Sequence, residues 1–320
     1  MIMKKIIPIL MIAIGAVCGC TQEPRPSLDQ ARVTDLRIII SPGEVQNTYL
    51  LRSNRTDVIC FWNLGNGNTA SGVNSVLAKY PFAGVYTITL KAYSDAGATN
   101  EVSVTLPVIT ENLYLLNDPI YELVAGPVGG EGKTWKLDSG RQGHITLLNP
   151  NNFEDAWYTA GPGAKDGCEM YDDRITFFLN CERGQAVEYV NNGKSSAINN
   201  ATALDELFTD GAWQATSYNR ASTNDFIIDC VPPASMGWSL LQNAGRYYLS
   251  FPATGEGNGA YMFYFSGWQT QYEIRAISEN YMKVYAWANL AGSTSLRQLI
   301  LCTEETAPGN DDIEWTWIKD

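Results

Sequence analysis

The chain has 320 residues, 34 acidic against 22 basic side chains, a formal net charge of −12 and a single histidine, His144. So acidic a chain is a poor partner for nucleic acid or anionic lipid, and one histidine leaves no material for histidine-rich metal centres and little for nucleophilic triads. Aromatic residues, threonines and glycine-bearing turns are plentiful while apolar residues at helical spacing are almost absent, so the class is all-β and the length suggests about two domains.

The first residues carry Lys4 and Lys5, an apolar run from Ile6 to Val17, and small residues before a cysteine. This is the layout of a secretory signal, too short to span a membrane as a helix. Val17-Cys18-Gly19-Cys20 resembles the lipobox of bacterial lipoproteins. The resemblance implies a signal peptide over 1–19 and lipidation of Cys20, favoured over Cys18 because Gly19 is the small residue directly before it. The membrane would then be met through the N-terminal lipid only. Losing residues 1–19 removes two lysines and no acid, which takes the charge from −12 to −14. Residues 20–29 are polar and proline-bearing and read as a tether.

Residues 30–109 alternate cleanly. In "VYTITLKAY", Tyr86, Ile88, Leu90 and Ala92 form the inward set and Thr87, Thr89 and Lys91 the outward one. The stretches "VICFWNLGNGNTASG" and "KYPFAGVYTITL" resemble the polycystic-kidney-disease (PKD) type of immunoglobulin-like domain. In that family a tryptophan-bearing strand runs into a glycine-rich turn, and a tyrosine-proline stretch opens a later strand. Asn63 and Asn66 stand where the family usually has aspartates. The resemblance implies a seven-stranded sandwich with Trp62 in its core, used mostly as a spacer.

Residues 110–132 read as a linker, loosest at Gly129-Gly130-Glu131-Gly132. Over 133–320 about ten short strands are predicted, among them "KTWKLD", "HITLL", "DRITFFLN", "DFIIDC", "RYYLSF", "AYMFYF", "YEIRAI", "YMKVYAWANL", "LRQLILC" and "IEWTWIK". They suggest a larger β-sandwich or jelly roll. "ALDELF" is the only tempting short helix.

"GKTWKLDSGRQGHITL", "AWYTAGPGAKDGCEMYDDRITFFLN" and "GRYYLSF" to "YEIRAISENYMKVYAW" resemble the C-terminal part of PKD-bearing surface lipoproteins. These belong to the polysaccharide-utilisation systems of Bacteroidetes-type bacteria. Ile145-Thr146-Leu147-Leu148 replaces the glycine-rich stretch that the family commonly has after its glycine-histidine pair. The resemblance implies a lipid-anchored outer-membrane protein, exposed at the cell surface. It would bind a polysaccharide or oligosaccharide, with β-glucan the leading candidate, beside an outer-membrane glycan transporter pair, without catalysis or cofactor.

The residues themselves offer a route to such binding. In Tyr281–Leu290 the apolar set is Met282, Val284, Ala286, Ala288 and Leu290, and the other face carries Tyr281, Lys283, Tyr285, Trp287 and Asn289. A buried aromatic hides roughly 150–250 Å², so an aromatic face marked by a lysine and an asparagine asks for a cover. A sugar ring is one, because its axial C–H bonds fit the negative face of an aromatic ring while its hydroxyls use polar neighbours. The second sheet or a loop of the domain is the other. Candidate glycan contacts are Tyr285 and Trp287 on this strand, Trp157 in a glycine-rich loop, Trp268 in a turn, and Tyr171, Asp172 and His144. Trp213 and Trp238 are weaker loop candidates, whereas Trp135, Trp315 and Trp317 stand in strand patterns and read as core.

Glu169, Asp172 and Asp173 suit three roles: a solvated strand start, sugar hydroxyls, or a structural calcium ion. No spacing argues for another metal site. Beyond Cys20 the cysteines are Cys60, Cys168, Cys181, Cys230 and Cys302, an odd number, with Cys168 and Cys181 the most plausible local pair. Two alternatives stand beside the binder. A jelly-roll glycoside hydrolase needs two carboxylates roughly 5–9 Å apart, and "YEIRAISENY" holds only Glu273 and Glu279, without the acid-x-acid-x-x-acid spacing of jelly-roll β-glucanases. A structural or adhesive surface protein needs no site at all.

Overall fold

The computed structural model describes residues 33–95, 99–234, 236–251, 261–268, 271–290, 293–309 and 313–319, with backbone alone at 288–290 and 293–294. The signal peptide, Cys20, the tether and the side chains of Ala288, Asn289 and Leu290 lie outside the described residues.

The fold is all-β, with two separate hydrophobic cores. The first is enclosed by β1 (Ile38–Pro42), β2 (Thr48–Ser53), β3 (Ile59–Asn63), β4 (Thr69–Ser71), β5 (Ser75–Lys79), β6 (Gly84–Tyr93) and β7 (Thr99–Val108). Their sheets run β1-β2-β5 and β4-β3-β6-β7, a seven-stranded sandwich. Trp62 is buried in its core and donates from Nε1 to the Val73 carbonyl at 2.9 Å. The inward alternation holds for Ile88, Leu90 and Ala92. In the glycine turn, Asn63 accepts from the Gly65 amide at 2.9 Å and Asn66 from the Asn68 amide at 3.1 Å. Asparagine thus supplies the acceptor oxygen that an aspartate would, without its charge.

The stretch expected to be a linker is more ordered than that. A 3-10 turn at Leu113–Leu116 leads into α1 (Pro119–Ala125), and Leu116, Ile120, Val124 and Ala125 are buried in the second core. Asp118 caps the helix by accepting from the Ile120 amide at 3.0 Å, and proline opens it, both standard start signals.

The second core is enclosed by β8 (Lys133–Leu137), β9 (Ile145–Asn149), β10 (Asn152–Thr159), β11 (Arg174–Asn180), β12 (Gly184–Val190), β13 (Lys194–Ala197), β14 (Ser217–Arg220), β15 (Phe226–Asp229), β16 (Met236–Gly237), β17 (Ser239–Asn243), β18 (Arg246–Ser250), β19 (Tyr264–Phe265), β20 (Gln271–Ile277), β21 (Tyr281–Leu290), β22 (Ser293–Thr303) and β23 (Trp317–Ile318). The expected short helix is α2 (Ala201–Phe208). The main sheet runs β16-β12-β11-β8-β22-β21-β20-β18-β17, and a smaller one runs β14-β15-β13-β19. β22 is long enough to pair with β21 along its whole length on one side. On the other side it pairs with β9 through its first half and with β8 through its second. The inner faces of β20, β21 and β22 bury Ile274, Met282, Val284, Ala286, Leu299 and Leu301 with Ala197, Ile228 and Phe265 of the smaller sheet.

Several expectations give way here. Trp213 and Trp238 are fully buried, because the loops that hold them close over the core. Trp135 is core, but Trp315 and Trp317 are only half-buried. Cys168 and Cys181 are both free thiols. Cys168 is buried beside Thr223 and Asp225, while Cys181 is exposed at the turn after β11.

Candidate functional site

The outer face of the main sheet carries the candidate site. In antiparallel sheets directly opposed residues share a face, so register alone assembles two rows. One is Trp287, Leu296, Leu148 and Ala156; the other is Glu273, Tyr285, Gln298 and Thr146. Trp287 is 51% exposed although its strand lies inside the sheet, and Tyr285 is half-buried beside it. From β10 comes Phe153, 43% exposed, whose ring stands edge-on to both, with centroids 6.2 Å from Trp287 and 6.4 Å from Tyr285. Three rings from two strands therefore form one patch open to solvent.

Polar groups ring the patch. β20 slips register between Ile274 and Ala276, and the bulged Arg275 puts its guanidinium 5.1 Å from the Tyr285 ring. Glu273 accepts from Arg275 at 2.9 Å and from Arg246 at 2.8 Å. Lys283 lies along the same face, its ammonium 5.7 Å from the Trp315 ring. Burial pushes the Lys283 ammonium below its ordinary value, and the charges of Arg275 and Arg141 add to that. Burial likewise raises the Tyr285 phenol. The arrangement offers apolar ring faces beside fixed N–H donors and one carboxylate, which suits an apolar surface edged with hydroxyls.

The other sequence-derived candidates lie elsewhere. Trp157 is 53% exposed, on β10 rather than in a loop, at the register shift between Ala156 and Tyr158. It belongs to the same strand as Phe153 but has no ring partner among the described residues. Trp268 packs on the core against Phe265, Trp213 and Tyr261 at 5.1, 6.2 and 6.2 Å, and its indole nitrogen is buried without an acceptor. It is a packing residue rather than a presented one.

His144 is also interior. Its Nδ1 lies 2.7 Å from the Arg141 carbonyl and its Nε2 2.7 Å from the Tyr171 hydroxyl, which in turn accepts from the Lys165 amide at 3.0 Å. A carbonyl can only accept, so Nδ1 carries the proton and Nε2 accepts from Tyr171. Burial holds the ring below its ordinary value, in keeping with this neutral tautomer. Both ring nitrogens are spent on the fold, and Tyr171 is spent with them. Asp172 is exposed and accepts from the Asn192 amide at 2.9 Å, away from the aromatic patch, whereas Asp173 is buried against the Tyr189 hydroxyl. The acids thus divide between surface and core, and among the described residues no three His, Cys, Asp or Glu side chains converge as metal ligands would.

Phe153 and Arg275 are not singled out by the sequence, and Glu273 enters there only as an acid weighed for a hydrolase pair. "LLNPNNFEDAWYT" held a signal for the first: Asn-Pro-Asn-Asn between two strand-like runs marks a hairpin, and β9 and β10 form one.

No family model matches the chain. Among solved structures, the PKD1 domain of Vibrio anguillarum Epp is 25% identical over 23% of this chain and 92% of its own, with a TM-score of 0.21. The PKD1 domain of the Vibrio cholerae metalloprotease PrtV is 22% identical over 23% of this chain and 95% of its own, also at 0.21. A structure described in terms of promiscuous carbohydrate-binding modules of the β-sandwich superfamily is 13% identical over 84% of this chain and 90% of its own, again at 0.21.

Proposed function

We propose that the chain is a carbohydrate-binding protein that holds a glycan on the Phe153–Tyr285–Trp287 patch without cleaving it. The observation that carries this reading is a tryptophan in an interior strand of the sheet, half in solvent, edged by Phe153 and Tyr285 and flanked by Arg275, Glu273 and Lys283. An aromatic cluster left uncovered forgoes stabilisation that a flat apolar ligand face restores. A sugar ring supplies that face, and its hydroxyls meet the guanidinium, ammonium and carboxylate groups at the rim. On the scale of base–aromatic stacking, about 1–3 kcal/mol per ring, two platforms give about 2–6 kcal/mol, a weak affinity that reaches tens of micromolar at its upper end. Such affinity suits a protein that captures a chain and hands it on.

With the lipobox reading of Cys20, the protein sits on the cell surface, tethered to the outer membrane and presenting glycan to a neighbouring uptake system, with the N-terminal sandwich as spacer. β-Glucan remains the first glycan to try. The test is titration with plant, algal and fungal polysaccharides followed by tryptophan fluorescence, with reducing-sugar release measured alongside. A saturable change without product supports the reading. Product release replaces it with a hydrolase, and silence across the panel leaves a structural surface protein.

A further inference from the structure

On the opposite face of the same strands, next to Gln298, stands a buried charge that the aromatic patch does not use. Arg297 is 3% exposed and lines a cavity of about 170 Å³ together with the apolar side chains of Ile145, Ile198 and the half-buried Leu147. Tyr158, 39% exposed, stands at its mouth. Lys165 also lines the cavity, its ammonium 2.6 Å from Asp225, and Asp225 is further engaged by the Tyr264 hydroxyl and by Thr223 at 3.0 Å. The Arg297 guanidinium has no such partner. Its Nη1 donates to the Ser266 hydroxyl and reaches the Tyr264 carbonyl at 3.4 Å, with the Tyr264 ring 4.7 Å away, all of them uncharged. Among the described residues, Nε and Nη2 have no hydrogen-bond acceptor and no carboxylate lies within ion-pair distance of the guanidinium.

Two cations therefore line the cavity, while Asp225, the one carboxylate that Lys165 pairs with, lies behind the lining, so among the described residues the wall itself carries positive charge without a carboxylate. Burying a charge without a counterion is costly, and the cost is met when an anion arrives with matching hydrogen bonds. A guanidinium fork with free N–H groups matches a carboxylate in shape as well as charge. A cavity of about 150 Å³ accommodates a benzene-sized ring, so this one has room for a single ring against its apolar side chains. We infer that the cavity is a binding site for a carboxylate carried on one six-membered ring, held by Arg297 with Lys165 beside it. The site lies across the sheet from the aromatic patch, and its occupancy does not depend on the proposed function of that patch.

The test is isothermal titration calorimetry of the full chain at constant ionic strength with sodium glucuronate and sodium benzoate, against glucose and benzyl alcohol as neutral counterparts. One carboxylate is expected to bind 1:1 and its neutral counterpart at least about tenfold more weakly. Preference for glucuronate assigns an acidic sugar, and preference for benzoate an aromatic acid. Arg297→Gln is expected to abolish binding. Because Arg297 is buried, Leu147→Trp, which fills the cavity from its half-buried rim and leaves the charge in place, is measured beside it, with circular dichroism confirming the fold. Failure of both carboxylates to bind, equal binding of a neutral counterpart, or full affinity in folded Leu147→Trp would overturn the assignment.

Discussion

The ring of Phe153 stands edge-on to Trp287 with centroids 6.2 Å apart. Two strands separate theirs, since β10 pairs with β9, β9 with β22 and β22 with β21. The contact therefore depends on the β9–β10 hairpin folding across the sheet, and it turns one exposed tryptophan into a platform. Trp287→Ala removes that platform without touching the core. We expect glycan affinity to fall about tenfold or more, while stability stays within about 0.5 kcal/mol of the parent. Phe153→Ala is expected to weaken binding less, since it supports the Trp287 ring more than it offers a face of its own. Paired glycan titrations and urea unfolding of the two variants check both statements.

Trp157 and Trp268 separate presentation from packing. Trp268→Ala leaves a void beside Trp213, Tyr261 and Phe265. Its cost is expected at about 2–3 kcal/mol, below the ~3–5 kcal/mol of a fully buried tryptophan because Trp268 is only partly enclosed. Trp157→Ala is expected to leave the unfolding midpoint unchanged. Denaturant midpoints rank the two directly, and the reverse order would misplace both residues.

His144 makes stability depend on pH in a defined direction. Burial lowers its folded-state value below the ordinary histidine value of about 6.5. Between the two values the unfolded chain binds the proton and the folded chain does not. Stability is thus complete above about pH 6.5 and falls as the pH drops below it, by at most about 1.4 kcal/mol per pH unit. His144→Gln is expected to flatten this decline. Urea midpoints between pH 7.5 and 5 measure it.

Asp173 acts with the opposite sign. It is buried, one carboxylate oxygen accepting from Tyr189 and the other without a partner, and desolvation raises it well above the usual carboxylate range. The folded state therefore holds a proton that the unfolded state has lost above about pH 4. Stability from this group is complete below that pH and is lost as the pH rises towards the folded-state value. Asp173→Asn is expected to stabilise at pH 7, on the order of 1 kcal/mol, and to gain nothing near pH 3.5. Thermal unfolding at the two pH values distinguishes this from a general packing effect.

Period-two alternation made β21 legible. Met282, Val284 and Ala286 are buried as the sequence implies, and Lys283, Tyr285 and Trp287 share the other face. Trp62 and the helix over Ala201–Phe208 were legible for similar local reasons. What escaped depends on contacts between distant segments. Phe153 joins the patch only because a hairpin crosses the sheet, and Trp213 and Trp238 are buried because loops close over them. His144 turns inward because Tyr171 and the Arg141 carbonyl meet it there. Arg297 follows an alternation that marks it as inward, but nothing local states that no carboxylate waits for it. Asp118-Pro119 did announce a helix start, one the polar look of the linker obscured.

The exposed rings of the main sheet are proposed to hold glycan. Affinity electrophoresis of the parent chain and of Trp287→Ala and Trp268→Ala through gels containing each polysaccharide tests this proposal most directly. At least one glycan is expected to retard the parent, the retardation to be lost in Trp287→Ala, and Trp268→Ala to be retarded whenever it is folded. A folded Trp287→Ala retarded as strongly as the parent would contradict it.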